Sequence, residues 1–446
     1  MTQGNRRYER LPRRWAVCPC ALAWLLFGFG GVVLAGAPLP DQPTLPQPLS
    51  LAQAVQITLE VNPELASLRQ QRGLAAAGVV IARTYPHNPV IESKVFGVTG
   101  PASAGISDFV PNQHKILLDV EVRGQPGFRQ QVASAVLGRT EWEVASQEVT
   151  FAVNAVRAFD NLLYRQGKLA VAEEFLRLNQ EAAEQVRRLA QGGTLRATDV
   201  ILARTEVNDV QAQIGLNRTA LVSARRDLLR ALGASAGAPV LDGSLARPSP
   251  AATAEQLLAE ALQHRPDRFA RQAAIAEAEA RVRLQVADRF GNPTVGPVFE
   301  YNETRVSFFG VQFGMPLPLF NRRTGEIQQL QAQQAQAELN LRRVEVEIRQ
   351  DVFAAAARLE ETRSWIQTYQ TQILPDLRRS LTEMDRLFRQ GQAGADVLRV
   401  LDVRRKLLRA QDGYLDALLA YTQALADLAL AVGDPTLAMI PNSPSR

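Results

Sequence analysis

Few side chains in this sequence could carry out chemistry, and no motif brings them together. The three histidines, His87, His114 and His264, are scattered, and none belongs to a His-x-x-x-His pair that could hold a metal ion. The chain contains neither a glycine-rich phosphate loop nor a metalloprotease helix motif. The sequence therefore predicts a protein that is not an enzyme, with no catalytic residue, no cofactor and no metal site.

The N-terminus has the layout of a secretory signal peptide. Arginines crowd residues 6–14, an apolar run follows from Trp15 to Ala37, and residues 33–35 place small side chains at the usual cleavage positions. We predict a cleaved signal over residues 1–35 and a linker over residues 36–50. An uncleaved anchor is the alternative, because the run has about the 20 residues that span a bilayer.

Removal of the signal would change the thiol content and the charge of the chain. Both cysteines, Cys18 and Cys20, lie inside it, so the mature chain would have no disulfide and no thiolate. The chain has 50 basic and 45 acidic residues, of which five arginines and Glu9 precede Gly36, so the mature chain has one excess basic residue. This balance does not favour a nucleic-acid partner.

The chain repeats itself at a spacing of about 200 residues, which indicates a duplicated unit. We predict a first repeat over residues 51–232, a linker over 233–253, a second repeat over 254–433 and a tail over 434–446. The matching positions are Asn62-Pro63 with Arg265-Pro266, Asn88-Pro89 with Asn292-Pro293, and Gly192, Gly193 and Asp199 with Gly391, Gly394 and Asp396.

Each repeat is predicted to contain the same elements in the same order. A helix over about 51–82 or 254–287 comes first. A β-hairpin follows over about 89–122 or 294–315, because apolar and polar residues alternate there.

A long helical hairpin, about 128–232 or 325–432, ends each repeat, and its apolar residues recur at spacings of three and four. A first helix of about 63 residues would span about 95 Å at 1.5 Å per residue. Pro375 should interrupt the second long helix.

Four strands in one chain cannot close a sheet that faces lipid. A closed barrel needs about eight strands or more, and open sheet edges are not tolerated in a bilayer. The sheet must therefore be shared between copies, and three copies would give about twelve strands, an even number within the known range. We predict a mainly α protein with a small β part, in which long coiled-coil hairpins form a trimeric α-barrel beneath a shared twelve-stranded transmembrane β-barrel.

Two sets of residues in the strand regions admit more than one interpretation. His87 and His114 are expected at strand ends on the surface, with a transient metal contact in the lumen as the alternative. Phe308, Phe309 and Phe313 would form either an interfacial aromatic belt or a packed cluster between strands.

The sequence resembles the TolC family of outer-membrane efflux proteins over about residues 48–434. The resemblance is carried by the duplicated layout, the Asn-Pro pair before each first strand, the glycine-containing helical tips, and the stretch Met315-Pro316-Leu317-Pro318-Leu319-Phe320-Asn321-Arg322. That stretch is similar to the heavy-metal subgroup, the outer-membrane partners of cobalt-zinc-cadmium pumps. Residues 124–129 depart from the turn that relatives often have there.

The resemblance implies a homotrimer in the outer membrane with a periplasmic extension. It would act as the passive exit duct of a tripartite pump, together with a periplasmic adaptor (membrane fusion) protein and an inner-membrane transporter of the proton-driven RND type. The helical tips would dock the adaptor, and the matching residues here are Gly192, Gly193, Thr194, Gly391 and Gly394.

Asp199 and Asp396 follow these tips and are candidate pore-constriction acids. Three symmetry-related carboxylates would make a ring that attracts cations. The alternative role is capping of a helix start, and one residue could serve both.

Alternatives to this function remain open from sequence. The exported compound would be a heavy-metal cation by resemblance, or a drug or other small molecule. A periplasmic adaptor of the same pump, or a fibrous coiled-coil scaffold, would also contain long heptad helices. Neither alternative explains a duplicated unit with two amphipathic β-hairpins.

Overall fold

The computed structural model describes residues 45–97, 110–193, 195–302, 304–389 and 397–439. The predicted signal peptide lies outside these residues, as do Thr194, Gly391, Gly394 and Asp396. The described part is mainly helical with a small sheet, as predicted. The described helices are α1 (Leu51–Val61), α2 (Pro63–Arg83), α3 (Gln125–Gln191), α4 (Ala197–Leu232), α5 (Ala254–His264), α6 (Pro266–Ala287), α7 (Thr324–Thr368), α8 (Leu374–Arg389) and α9 (Val397–Val432).

The strands form one small and one larger sheet. Two short strands pair in parallel, and four longer strands form an antiparallel sheet in the order β2, β3, β5, β6. The strands are β1 (Leu49–Ser50), β2 (Val90–Val95), β3 (Asn112–Asp119), β4 (Leu241–Asp242), β5 (Thr294–Tyr301) and β6 (Ser307–Gly314). The four-stranded sheet thus joins one hairpin from each repeat through its central β3–β5 pair.

The predicted first helix of each repeat is interrupted, contrary to expectation. The breaks fall at Asn62 and Arg265, whose backbones are extended with ψ of 118°. Each of these residues precedes a proline, and the proline ring disfavours the helical conformation at the preceding position. The apolar periodicity continues across both breaks, so periodicity alone did not reveal them.

The two breaks allow helices to stack end to end. The side chain of Asn62 caps α2 by accepting from the N–H of Glu64 at 2.9 Å, and its amide donates to the carbonyl oxygen of Ala231 in α4 at 2.8 Å. In the second repeat, the guanidinium of Arg265 donates to the carbonyl oxygen of Ala431 in α9 at 3.2 Å. Therefore α4 stacks on α2, and α9 stacks on α6.

These stacks give each chain four long rods. In the half beside the larger sheet, α3 packs between α2 and α6, and α7 packs on α6. In the other half, α3 packs between α4 and α9, and α8 packs on α9. The rods therefore follow the strand order, with α2 and α4 at one side and α7 and α8 at the other.

The apolar residues of the rods face one another in several buried clusters. In α7 the heptad positions Ile348, Val352, Ala355 and Leu359 are buried against α9. Phe159 of α3 is fully buried with Leu228 of α4. The predicted heptad periodicity therefore marks the faces on which the rods pack.

The predicted interruption near Pro375 takes the form of a π-helical turn over Tyr369–Ile373. Proline has no N–H to donate to the preceding turn, so the hydrogen-bond pattern must change before it. Tyr369 packs closely on α9 there, and a Cβ atom at Gly413 would clash with its hydroxyl oxygen. Gly413 of α9 therefore leaves space for the Tyr369 side chain at the π-helical turn.

Candidate functional site: the two-faced sheet and the helical tip

The four-stranded sheet has one apolar and one polar face. Alternate residues of a strand point to opposite sides, and the pairing register brings most exposed apolar residues to one side and the charged residues to the other. The apolar face carries Ile91, Val95, His114, Ile116, Leu118, Val295, Pro297, Phe299, Phe309, Val311 and Phe313, and the polar face carries Glu92, Lys94, Gln113, Lys115, Asp119, Thr294, Glu300 and Gln312.

Side chains on the polar face are linked in pairs across the strands. The ammonium of Lys115 lies 2.7 Å from the carboxylate of Glu92. The amide of Gln113 donates to Glu300 at 3.0 Å, and these residues belong to different repeats. Such pairs stabilise a surface that faces water, and they make this face unsuitable for contact with hydrocarbon.

The apolar face is exposed to an extent unusual for a water-soluble surface. Phe309, Val311 and Phe313 are 83%, 76% and 67% exposed, and Ile91 is 72% exposed. A contiguous apolar patch of this kind marks contact with lipid or with another protein. No other described element covers it.

The structure separates residues that the sequence grouped together. Phe309 packs against Phe299 with their ring centroids 5.0 Å apart, whereas Phe308 lies on the polar face. His114 is stacked on Phe299 at 6.2 Å on the apolar face, with its Nδ1 atom 3.0 Å from the Ser93 hydroxyl oxygen. The three phenylalanines therefore do not form one cluster, and His114 does not lie on the polar face.

The outer strands β2 and β6 have free edges among the described residues, since neither pairs on its second side. The helices at the same two sides also expose apolar side chains. Leu74 and Ile81 of α2 are 75% and 71% exposed, and Leu339 of α7 is 62% exposed. Both sides of the chain are therefore chemically suited to contact further protein.

The segments that connect the sheet to the rods form a polar junction that sequence reasoning missed. The guanidinium of Arg123 donates to the carbonyl oxygen of Gly291 at 2.9 Å and lies 4.6 Å from the ring centre of Phe290. Buried Gln125 donates to Asn292 at 2.7 Å. The repeated Asn-Pro pairs were the available signal, but they did not identify these distant partners.

A cavity of about 590 Å³ lies at this junction. His87, Asp119, Glu121, Arg129, Asp288 and Arg323 are among the residues that line it. Burial raises the pKa of Asp288, and nearby Arg323 opposes that rise. Acidic and basic groups are mixed here, and the described residues contain no cluster of three or more potential metal ligands.

At the tip of the first hairpin, α3 ends at Gln191 and the chain turns through Gly192 and Gly193, of which Gly193 has a φ of 80°. The carboxylate of Asp199 accepts a hydrogen bond from the N–H of Arg196 at 3.0 Å, next to the start of α4. This is the capping contact that the sequence offered as one role. A role in a pore stays a prediction, because it depends on other copies of the chain.

A Gly-x-Ser-x-Gly pattern spans residues 233–237, but it does not form a nucleophile elbow. The pattern follows the C-terminus of α4, whereas an elbow joins a strand to a helix.

Among the described helices, residues Arg399–Val432 of α9 have the length and hydropathy to cross a membrane. In the apolar window of that helix, 61% is buried inside the protein, as expected for a core helix.

Comparison with known proteins gives one family match and several structures of similar fold. Residues 257–434 match the outer membrane efflux protein family. No curated protein sequence matches the chain.

Several solved structures share the fold. A membrane protein from Pseudomonas aeruginosa is 17% identical, with a TM-score of 0.73 over 86% of this chain and 90% of that one. The outer membrane protein VceC from Vibrio cholerae is 15% identical, with a TM-score of 0.70 over 86% and 96%. The MtrE outer membrane channel of Neisseria gonorrhoeae is 17% identical, with a TM-score of 0.68 over 89% and 91%.

Proposed function

We propose that this protein is a TolC-type outer-membrane channel that works as the passive exit duct of a tripartite efflux pump. The observation that carries the proposal is the four-stranded sheet, which has one face for lipid, one face for water and two free edges. A single copy would leave these edges unpaired in hydrocarbon, where each unsatisfied backbone group costs several kcal/mol. The duct has no enzymatic activity of its own, so the energy for export comes from another protein.

Three copies complete the structure in this proposal. Their sheets form a twelve-stranded barrel in the outer membrane, and their rods form an α-barrel that extends through the periplasm. The polar sheet face lines the lumen, so Lys115 and Glu92 contact water. The N-terminal 35 residues direct export and are then removed.

The helical tips are the proposed docking sites for a periplasmic adaptor, which also contacts an RND transporter in the inner membrane. Gly192 and Gly193 are exposed at the first tip. Asp199 and Asp396 narrow the periplasmic entrance and favour cations, while the capping contact of Asp199 holds its carboxylate near the turn.

We propose heavy-metal cations as the exported class, on the resemblance of residues 315–325 to that subgroup. Drugs and other small molecules are the second candidate, because a wide water-filled duct discriminates little between solutes. A periplasmic adaptor is the third candidate function, and it does not explain the exposed apolar face of the sheet.

The first experiment tests the location and the assembly. Full-length protein, expressed in a Gram-negative host, is separated into soluble and outer-membrane fractions and run on gels with and without heating. We expect heat-sensitive trimers in the outer membrane. A soluble periplasmic monomer would reject the proposal.

The second experiment tests the exported compound. The gene is deleted, and growth is compared on zinc, cobalt, cadmium, nickel, copper and a panel of drugs. Loss of metal tolerance supports the heavy-metal assignment, whereas loss of drug tolerance alone would contradict it.

Complementation with a Gly192→Trp variant should restore trimers but not tolerance, and Gly215→Trp on the exposed middle of α4 is the matched control.

A further inference from the structure

The pairing of β3 with β5 shows how one repeat joins the next within the chain. β2 pairs with β3 only as far as Val90 opposite Leu117. Beyond that point β3 pairs with β5, where Leu118 lies opposite Val295. The junction then continues with the contact between Arg123 and the carbonyl oxygen of Gly291.

In the second repeat, β6 ends level with its hairpin partner, and the residues that follow it pair with no described strand. The last pair between β5 and β6 is Thr294 opposite Gly314. Leu317 and Phe320 follow and are 70% and 102% exposed. Arg322 is exposed and makes no hydrogen bond or ion pair with the described residues.

Hydrogen-bond directions determine which residues each free edge offers. In an antiparallel sheet the N–H and C=O groups of successive residues point to opposite neighbours. Phe96, next to β2, donates its N–H to the carbonyl oxygen of Pro111, next to β3. Val306, next to β6, accepts at its carbonyl oxygen from the N–H of Asn302, next to β5. Even-numbered residues of β2 and β6 therefore bond inward, and odd-numbered residues face the free edges. Pro316 and Pro318 follow β6 and are even-numbered, so their missing N–H groups would not interrupt an edge that continued past Gly314.

The sequence repeat relates the free edges to the β3–β5 pair. The helices that follow β3 and β6 begin at Gln125 and Thr324, an offset of 199. The Asn-Pro pairs that precede β2 and β5 begin at Asn88 and Asn292, an offset of 204. Adding 199 to a residue number in β3 gives the equivalent position in or after β6, and subtracting 204 from a residue number in β5 gives the equivalent position in β2. A residue pair of β3 with β5 therefore predicts a residue pair of β6 with β2.

We propose that β6 pairs with β2 of a second copy in the register that places Phe313 opposite Val95, Gly314 opposite Lys94 and Leu317 opposite Ile91. The three pairs correspond to His114 with Phe299, Lys115 with Val298, and Leu118 with Val295 within the chain. The inference rests on the proposed function, because it assigns the contact through which copies close the barrel.

Two features of the strands agree with this register, and both follow from the same two-residue alternation. It pairs odd-numbered residues with odd-numbered residues, as both free edges require. It also keeps Phe313, Val95, Leu317 and Ile91 together on the apolar face, whereas a shift by one residue would move one strand's apolar side chains to the polar face.

The same offsets give Arg322 a partner. Arg322 corresponds to Arg123, and the carbonyl oxygen of Gly291 corresponds to that of His87 in the second copy. Arg322 therefore donates to the His87 carbonyl oxygen across the interface. The register ends at Leu317, because the N–H of Leu319 bonds to the carbonyl oxygen of Leu317 at 2.9 Å.

Cysteine cross-linking tests the register. The variant combines Gly314→Cys with Lys94→Cys in the full chain, with Cys18 and Cys20 replaced by alanine. These positions form a non-hydrogen-bonded pair, with Cα atoms about 4.5 Å apart, which suits a disulfide. Both lie on the polar face, where a copper–phenanthroline oxidant dissolved in water can reach them. We expect covalent dimers and trimers on reducing-agent-free gels.

The matched controls shift the register by two residues and keep the same face. They pair Gly314→Cys with Glu92→Cys or with Phe96→Cys, for which the Cα separation would be about 8 Å, beyond disulfide reach. We expect little cross-linking from either control and none from the single-cysteine variants. Cross-linking in a shifted pair, with none in the Gly314–Lys94 pair, would overturn the register. Cross-linking in no pair, although native mass measurements still show trimers, would also overturn it, whereas the absence of any oligomer would count against the proposed function itself.

Discussion

Asp160 and Arg247 form an ion pair that is almost completely removed from water. Their side chains are 2% and 6% exposed, and one guanidinium nitrogen lies 3.0 Å from a carboxylate oxygen. The same nitrogen donates to the carbonyl oxygen of Ala438 at 2.9 Å. The pair therefore ties α3 to the linker between the repeats and to the segment after α9.

Replacement of Asp160 by alanine should destabilise the protein strongly. It would leave the Arg247 charge buried without its carboxylate, and the loss of one partner of a buried ion pair costs about 3–5 kcal/mol in comparable sites. Thermal unfolding of the purified protein, followed by circular dichroism, measures the loss. The double variant Asp160→Ala with Arg247→Ala should recover part of it, and Glu181→Ala in an exposed pair should change little. A stable Asp160→Ala protein would show that the pair does not hold these segments together.

Gly296 should be required for the sheet because β3 approaches it closely. A Cβ atom there would overlap the carbonyl oxygen of Ile116. Gly296→Ala therefore forces the backbones of β3 and β5 apart at the join between the repeats. We expect a large loss of assembled protein in the outer-membrane fraction.

Gly310 provides the control in the neighbouring strand β6. A Cβ atom at Gly310 would meet nothing within 4 Å. Gly310→Ala should therefore assemble at the wild-type level. Equal yields of the two variants would contradict the close approach of β3 to Gly296.

The rods and the faces of the sheet were predictable from sequence, because both depend on local periodicity. The first long helix begins at Gln125, three residues before its predicted start. Contacts between distant residues were not predictable in this way. Asn62 donates to Ala231, which lies 169 residues away, and no periodic pattern records that pairing.

Some site predictions failed or remain open for physical reasons. Alternation places a residue on a face of a strand, but only the register showed that His114 shares its face with Phe299. The roles of Asp199 and of the tips depend on contacts between chains, which the sequence of one chain does not specify. The π-helical turn was foreseen as an interruption, while its position ahead of Pro375 follows from the missing N–H.

Gly233 should be needed where α4 stacks on α2. It has a φ of 72°, and a Cβ atom there would lie 2.8 Å from Pro63 and 2.9 Å from the Cα atom of Asn62. Gly233→Ala therefore adds both backbone strain and a clash with the neighbouring helix start. We expect a lower midpoint of thermal unfolding.

Substitution of Gly215, in the same helix, should raise the midpoint of thermal unfolding instead of lowering it. It is exposed, and a Cβ atom there would meet nothing within 4 Å. Alanine is about 1 kcal/mol better than glycine inside a helix, so Gly215→Ala should raise the unfolding midpoint slightly. A loss of stability in both variants would indicate that the stacking geometry does not explain the Gly233 effect.

Arg322→Ala should weaken the assembled oligomer without unfolding the chain. Within one copy this side chain contacts no described partner, so its removal costs the isolated chain little. Between copies it would lose a charge-assisted hydrogen bond to the His87 carbonyl oxygen, a bond that contributes about 1.5–3 kcal/mol. The temperature at which trimers dissociate on gels should fall.

Two variants separate this contact from a general effect of charge. Arg342→Ala removes an exposed arginine of α7 and should leave the dissociation temperature unchanged. Arg322→Lys keeps the charge but loses the guanidinium fork, so it should restore only part of the stability. If Arg322→Ala and Arg342→Ala trimers dissociate at the same temperature, Arg322 does not bridge neighbouring copies. Arg123 and Arg322 would then be equivalent in the sequence repeat but not in their contacts. The hydrogen bond that Arg123 makes within the chain would have no counterpart between chains.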